Sequence, residues 1–167
     1  MKSNYKIFLC LSILCIAVFT ACSKKDCCEV IGSEGSPLSH IILSVKDAEG
    51  HDLLNPNTPN SIKESSISLE HIYSGGTEKV AYDEKSNRIK IVKHPHLQDL
   101  YVLALQTNMR IDDNGKHTTI IKWNDKEEDV MQAEYSHDLS KVKSISFNNT
   151  LIWNDKGASS LPPTIIK

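Results

Sequence analysis

The fold is decided by an alternating stretch at positions 66–73, which reads Ser-Ile-Ser-Leu-Glu-His-Ile-Tyr. Ile67, Leu69 and Tyr73 share one parity, and the other parity is mostly polar. Successive side chains of a strand point to opposite faces, so a repeat of two residues is typical of a strand with one buried face. We therefore predict a half-buried strand in this stretch.

Short apolar runs separated by turn-forming residues continue on both sides of this stretch. We predict strands at 41–45, 66–73, 79–82, 88–93, 101–105, 109–111, 118–123, 130–135, 142–147 and 151–153. The run 101–105 is apolar on both faces, which favours a central place in a sheet.

Two pairs of these runs have the pattern of β-hairpins. Runs 79–82 and 88–93 flank one polar turn, and runs 109–111 and 118–123 flank a second turn that contains Asn114-Gly115. Asn-Gly is favoured in two-residue hairpin turns, because both of its residues readily adopt positive φ. We therefore predict that each pair of runs forms a hairpin.

The chain beyond its first residues shows no convincing helical repeat. A sheet with one apolar face must cover that face with another sheet or with helices, and few helices are expected here. We predict an all-β fold, an antiparallel β-sandwich of immunoglobulin-like or similar type. A β-barrel is the alternative.

The start of the chain has the order of an export signal. Lys2 and Lys6 precede an uncharged, mostly apolar run at 7–19, which is too short for a comfortable membrane span of about 20 residues. Thr20 and Ala21 then lead into Cys22, in a pattern that resembles the lipobox of bacterial lipoproteins. This resemblance implies cleavage after Ala21 and attachment of lipid to Cys22, which would hold the protein on a membrane.

We predict three segments: a signal peptide at 1–21, a lipidated N-terminus and flexible tether at 22–38, and a β-sandwich domain at 39–167. The tether contains charged residues, serines, glycines and one proline, with little apolar periodicity. Only one adjacent cysteine pair, Cys27-Cys28, remains besides Cys22 after cleavage, so distant strands cannot be joined by disulfides.

The charge balance argues against a nucleic-acid partner. Removal of Lys2 and Lys6 with the signal leaves 17 basic and 21 acidic side chains, a formal charge of about −4. Proteins that bind nucleic acid by electrostatics carry basic patches instead.

A tetrapeptide, Trp-Asn-Asp-Lys, occurs twice, at 123–126 and at 153–156. Each copy follows a β-like run, so the repeat could simply mark two strand ends. In the functional interpretation, Trp123 and Trp153 form a surface that stacks on sugar rings or on a protein partner, since aromatic faces bury a large area at low entropic cost. Both interpretations stay open at this point.

No motif in the sequence carries a recognisable catalytic or metal-binding pattern, and we expect neither an enzyme nor a cofactor. His94 and His96 lack the further ligands that zinc requires. Two acidic clusters lack the order of a calcium-binding EF-hand. They comprise Asp47, Glu49 and Asp52, and Asp112, Asp113 and Asn114.

The stretch at 45–56, Val-Lys-Asp-Ala-Glu-Gly-His-Asp-Leu-Leu-Asn-Pro, resembles the opening of small all-β lipoproteins of Bacteroides-type bacteria, and 145–153 resembles their final hairpin. This resemblance implies a cell-envelope location and carries no biochemical activity. Ser23 after Cys22 favours the outer membrane by analogy with lipoprotein sorting. We expect an outer-membrane lipoprotein that acts as a binding or accessory module of unknown ligand, with an envelope protein or a glycan as the partner. The alternatives are a glycan-binding surface lipoprotein and, less favoured, a hydrolase of unrecognised type.

Overall fold

A computed structural model describes residues 40–157 and 161–167 of the chain. The described residues form ten strands and one short 3-10 turn at Glu64–Ser66. The strands are β1 (His40–Lys46), β2 (Ser68–Tyr73), β3 (Gly76–Ala81), β4 (Ile89–Lys93), β5 (Tyr101–Gln106), β6 (His117–Asn124), β7 (Glu127–Tyr135), β8 (Val142–Phe147), β9 (Thr150–Asn154) and β10 (Thr164–Ile166). None of the described segments is a helix long and apolar enough to cross a membrane.

The strands form two sheets. One has four strands in the order β10-β1-β5-β4, and the other has six in the order β3-β2-β6-β7-β8-β9. Neighbouring strands are antiparallel, except that β10 lies parallel to β1. The sheets are not closed into a barrel, so the predicted β-sandwich class is confirmed and the barrel alternative is wrong.

One hydrophobic core joins the two sheets. The stretch at 66–73 behaves as predicted, because Leu69 is fully buried and its neighbours Ser68 and Glu70 are not. The inward-facing side chains of the other strands supply the rest of the core. They include Leu43, Val45, Leu103 and Leu105 from the four-stranded sheet and Ile121, Trp123, Met131, Ile145 and Phe147 from the six-stranded sheet.

The run at 101–105 has the predicted interior position, as β5 lies between β1 and β4. The hairpin predicted from runs 79–82 and 88–93 is wrong, because β3 pairs with β2 while β4 pairs with β5 in the other sheet. The polar turn between them is a crossover from one sheet to the other.

The second predicted hairpin is also wrong. Residues 109–111 are not in a strand, and β6 pairs with β2 and β7 instead. The Asn114-Gly115 turn does form, with Gly115 at φ 74° and its N–H bonded to the Asp112 carbonyl at 2.9 Å. It lies in the loop between β5 and β6. Strand β10 is absent from the predicted runs; it follows Pro162-Pro163 and has only three residues. The predicted signal peptide and tether lie outside the described residues.

Candidate functional site

An open groove of about 500 Å³ lies at one end of the six-stranded sheet. It is formed where β2 ends, β6 begins and the turn after β7 starts, because these three antiparallel neighbours bring those points to the same end. The loop between β5 and β6 forms one wall. The lining residues are Tyr73, Ser74, Met109, Arg110, Ile111, His117, His137 and Leu139.

Arg110 is the charged centre of this groove. Its guanidinium carbon lies 3.7 Å from the centroid of the Tyr73 ring, which is a cation-π contact. One of its terminal nitrogens also donates to the Glu78 carboxylate on β3. These two different contacts, one to a ring face and one to a carboxylate, fix the orientation of the Arg110 side chain. The side chain is still 46% exposed.

The groove wall is held in place by the buried side chain of Asn108. Its amide donates to the Ile72 carbonyl at 2.6 Å and to the Thr118 carbonyl at 2.8 Å, which ties the loop to β2 and β6. Its side-chain oxygen accepts from the N–H of Arg110 at 3.1 Å. A polar side chain with 3% exposure is stable when its hydrogen bonds are made, so the wall is pre-organised.

The groove residue His117 packs against a second aromatic ring. The rings of His117 and Tyr135 meet edge to face, with centroids 4.7 Å apart and an interplanar angle of 83°. His117 also uses Nδ1 in a 3.1 Å hydrogen bond with the Asn108 carbonyl. Burial raises the pKa of the Tyr135 hydroxyl to about 12, so this group stays protonated at neutral pH.

A buried histidine lies close to the groove on β2. His71 precedes Tyr73 by two positions, so both side chains are on the same face of the strand. Nδ1 of His71 is 3.1 Å from the Thr119 hydroxyl, and Nε2 is buried with no hydrogen-bond partner among the described residues. Burial lowers the pKa of His71, because it disfavours the charged imidazolium.

Trp123 lies at the opposite end of β6 and is a core residue. Only 2% of its surface is exposed, so it cannot offer a ring face to a sugar or a partner as the functional interpretation requires. Its indole N–H donates to Asp129 at 2.7 Å, and the Lys167 ammonium lies 4.6 Å from its ring centroid. This corrects the prediction for Trp123.

Trp153 lies on β9 and is partly buried against the core, in register with Ile145. The repeated tetrapeptide does mark two strand ends, since β6 ends at Asn124 and β9 ends at Asn154. Each of these two asparagines accepts a hydrogen bond from the lysine N–H two residues later, at 2.8 and 3.1 Å. The repeat is thus a shared turn motif. Among the described residues, no contact between the two indole rings is found.

The residues considered for metal binding mainly stabilise turns. His94 Nδ1 accepts from the N–H groups of residues 96 and 97, and the Asp112 carboxylate accepts from residues 114 and 116. The hydrogen bonds from Lys116 and Thr118 lower the pKa of Asp112. Asp47, Glu49 and His51 place ligand atoms within 4.8 Å of one another in an exposed turn, which Asp47 closes by accepting from His51 at 2.8 Å.

Sequence reasoning missed the groove because its residues come from four separate segments. The residues 109–111, interpreted as a strand, form the wall instead. A signal was present in Asn108, a polar residue two positions after the end of β5, but only the fold shows that its amide is buried.

Comparison with protein-family models, with curated proteins and with solved structures found no match to this chain.

Proposed function

We propose that this protein is a lipid-anchored binding module of the cell envelope, and that the groove at the end of β2, β6 and β7 is its ligand site. The observation that carries the proposal is the wall at 108–111, which the buried Asn108 amide holds rigidly against two strands. A pre-organised wall lowers the entropic cost of binding a ligand.

The composition of the groove suits binding. It combines a guanidinium, two imidazoles and a tyrosine ring with the apolar side chains of Met109, Ile111 and Leu139. Ligand sites are typically concave surfaces with apolar walls and a few polar groups that fix orientation. This composition favours an accessory or binding role over catalysis.

The lipid anchor on Cys22 and a location at the outer membrane are the second part of the proposal. They are supported by the export-signal pattern before Cys22 and by the tether composition at 22–38. Cys22→Ser should release the protein from the membrane fraction and leave the signal peptide uncleaved or aberrantly cleaved. A variant that still matures and fractionates with membranes would contradict the anchor.

The groove itself is tested with two substitutions of matched exposure. Ile111 in the groove is 51% exposed, and Leu151 on the distant edge strand β9 is 55% exposed. The full-length protein in detergent is applied to arrays of glycans and of peptides. We expect Ile111→Asp to weaken binding to the recognised class at least tenfold and Leu151→Asp to leave it unchanged. Binding that survives Ile111→Asp, or no binding to either array, would contradict the assignment.

A further inference from the structure

We propose that the groove binds a carboxylate attached to an apolar group, and that the Arg110 guanidinium receives this carboxylate. The inference rests on the proposed function, since it names the chemistry of the ligand for the same groove. Three features of the groove support it: the charges of the lining residues, the remaining hydrogen-bond donors of Arg110, and the apolar surface next to Arg110.

The lining residues carry no carboxylate. Arg110 is cationic, and His117 and His137 are the other groups that can hold a positive charge. The whole chain has a formal charge of −2, so a lining that includes a guanidinium and two imidazoles but no carboxylate differs from the rest of the protein. Such a site attracts anions and disfavours cations.

Glu78 orients Arg110 without neutralising the local charge. Its carboxylate is shared with a second guanidinium, because Arg88 Nη1 lies 4.0 Å from the other Glu78 oxygen. Two positive groups on one carboxylate leave one net positive charge. A guanidinium has five N–H donors, and the contact with Glu78 uses one of the terminal nitrogens of Arg110. Donors therefore remain for a bidentate carboxylate contact.

Apolar side chains line the groove next to Arg110. Ile111 is 51% exposed, and Met109 and Leu139 also line the site. A ligand that carries an apolar group beside its carboxylate would cover this surface while its charge meets Arg110. Two sources supply this chemistry: a free organic acid and the C-terminal end of a peptide with an apolar last residue.

The test compares acids with their amides, which have nearly the same shape but no charge. The probes are 3-phenylpropanoate and its amide, and the peptide Ala-Ala-Ala-Phe with a free or an amidated C-terminus. Kd is measured by ligand-observed NMR on the full-length protein in deuterated detergent, with detergent alone as the blank. We expect at least one acid to bind tenfold or more tightly than its amide. The pair that shows the larger difference identifies the source.

Arg110→Gln should abolish this preference, and Arg110→Lys, which keeps the charge but loses the planar fork, should retain part of it. Lys93→Gln is the control, since Lys93 is an exposed cation that pairs with Asp99 and does not line the groove; it should change Kd less than twofold. Circular dichroism and thermal unfolding check that each variant is folded.

Several results would overturn the inference. Equal Kd for acid and amide, an unaltered preference in folded Arg110→Gln, or no binding of any acid would each show that Arg110 does not recognise carboxylates. Failure of the proposed function is seen separately, because Ile111→Asp would then leave array binding unaffected. Amides that bind in the groove as well as acids would keep the binding module and reject the carboxylate.

Discussion

The two ends of strands β6 and β7 use polar side chains in opposite ways. At the Trp123 end, Asp129 accepts hydrogen bonds from the Trp123 indole at 2.7 Å, from Asn148 at 2.6 Å and from the Lys167 ammonium. Asp129 and Lys167 side chains are only 13% and 12% exposed. At the groove end, Arg110 is 46% exposed, and it lines an open groove together with His117.

We call the Trp123 end the stabilising end, because its polar side chains are buried and paired. We call the groove end the presenting end, because its polar side chains line an open groove. Charges that are removed from water are tolerated when partners of opposite charge and hydrogen bonds surround them. The Trp123 end meets that condition, so its polar groups join β6, β7 and the residue after β10. At the groove end, the hydrogen bonds of the buried Asn108 side chain instead hold the loop residues that line the groove.

The largest expected effect is at the stabilising end. Asp129→Ala should lower the free energy of unfolding by about 3 kcal/mol, because it leaves the Lys167 ammonium and the Trp123 N–H without their main acceptor. Denaturant unfolding followed by tryptophan fluorescence measures this. Glu127→Ala is the control: Glu127 also contacts Lys167, at 2.8 Å, but is 51% exposed, and its loss should cost less than about 1 kcal/mol.

The same carboxylate gives a pH dependence of known sign. Burial raises the pKa of Asp129, but the hydrogen bonds from Lys167, Asn148 and Trp123 outweigh it, so the pKa lies below its ordinary value of 3.8. The stabilisation is therefore complete above about pH 4 and is lost as the pH falls through the folded pKa. An Asp129→Ala variant with wild-type stability would remove the contrast between the two ends.

The next effect tests whether the groove wall is pre-organised. Asn108→Ala removes two hydrogen bonds to buried carbonyls and should cost about 2 kcal/mol. It should also speed amide hydrogen exchange in residues 109–111 more than in β8. If exchange increases equally in both segments, Asn108 supports global stability and does not specifically hold the wall.

The smallest effect concerns His71 beside the groove. Burial lowers its pKa, with Arg110 and Arg88 acting in the same direction and Glu78 opposing them. The unfolded chain then binds a proton more readily than the folded protein. Stability should be constant above about pH 6.5 and decline below it, by at most about 1.4 kcal/mol per pH unit.

His71→Leu should flatten this decline between pH 6.5 and the folded pKa in pH-dependent urea unfolding. His96→Gln, at an exposed position, should leave the wild-type slope in place. An identical slope in wild type and His71→Leu would show that the buried imidazole does not distinguish the groove end.

Local pattern predicted much of the fold. The strands β1, β2, β5 and β8 lie within about two residues of the predicted runs, because alternation and apolar runs report burial directly. Which runs pair with each other was harder to predict from the sequence. A polar turn at 83–87 is compatible with both a hairpin and a crossover, and the choice depends on β2 and β5, which hold β3 and β4 in different sheets.

The candidate site was even harder to predict from the sequence than the strand pairing. Arg110 and Ile111 look like part of a strand in sequence, and only the tertiary hydrogen bonds of Asn108 place them in a groove wall. Conversely, Trp123 looks like a surface aromatic next to turn residues, but its register with the core face of β6 buries it.

The position of β10 has a consequence for the order of synthesis. Thr164–Ile166 pair with the first strand of the domain, and Lys167 then reaches Asp129, 38 residues earlier in the chain. While the ribosome is still making β9, β1 lacks one neighbour and Asp129 lacks its cation. The Trp123 end therefore cannot be completed during translation until β10 and Lys167 have emerged, and contacts this distant in sequence form late and slowly.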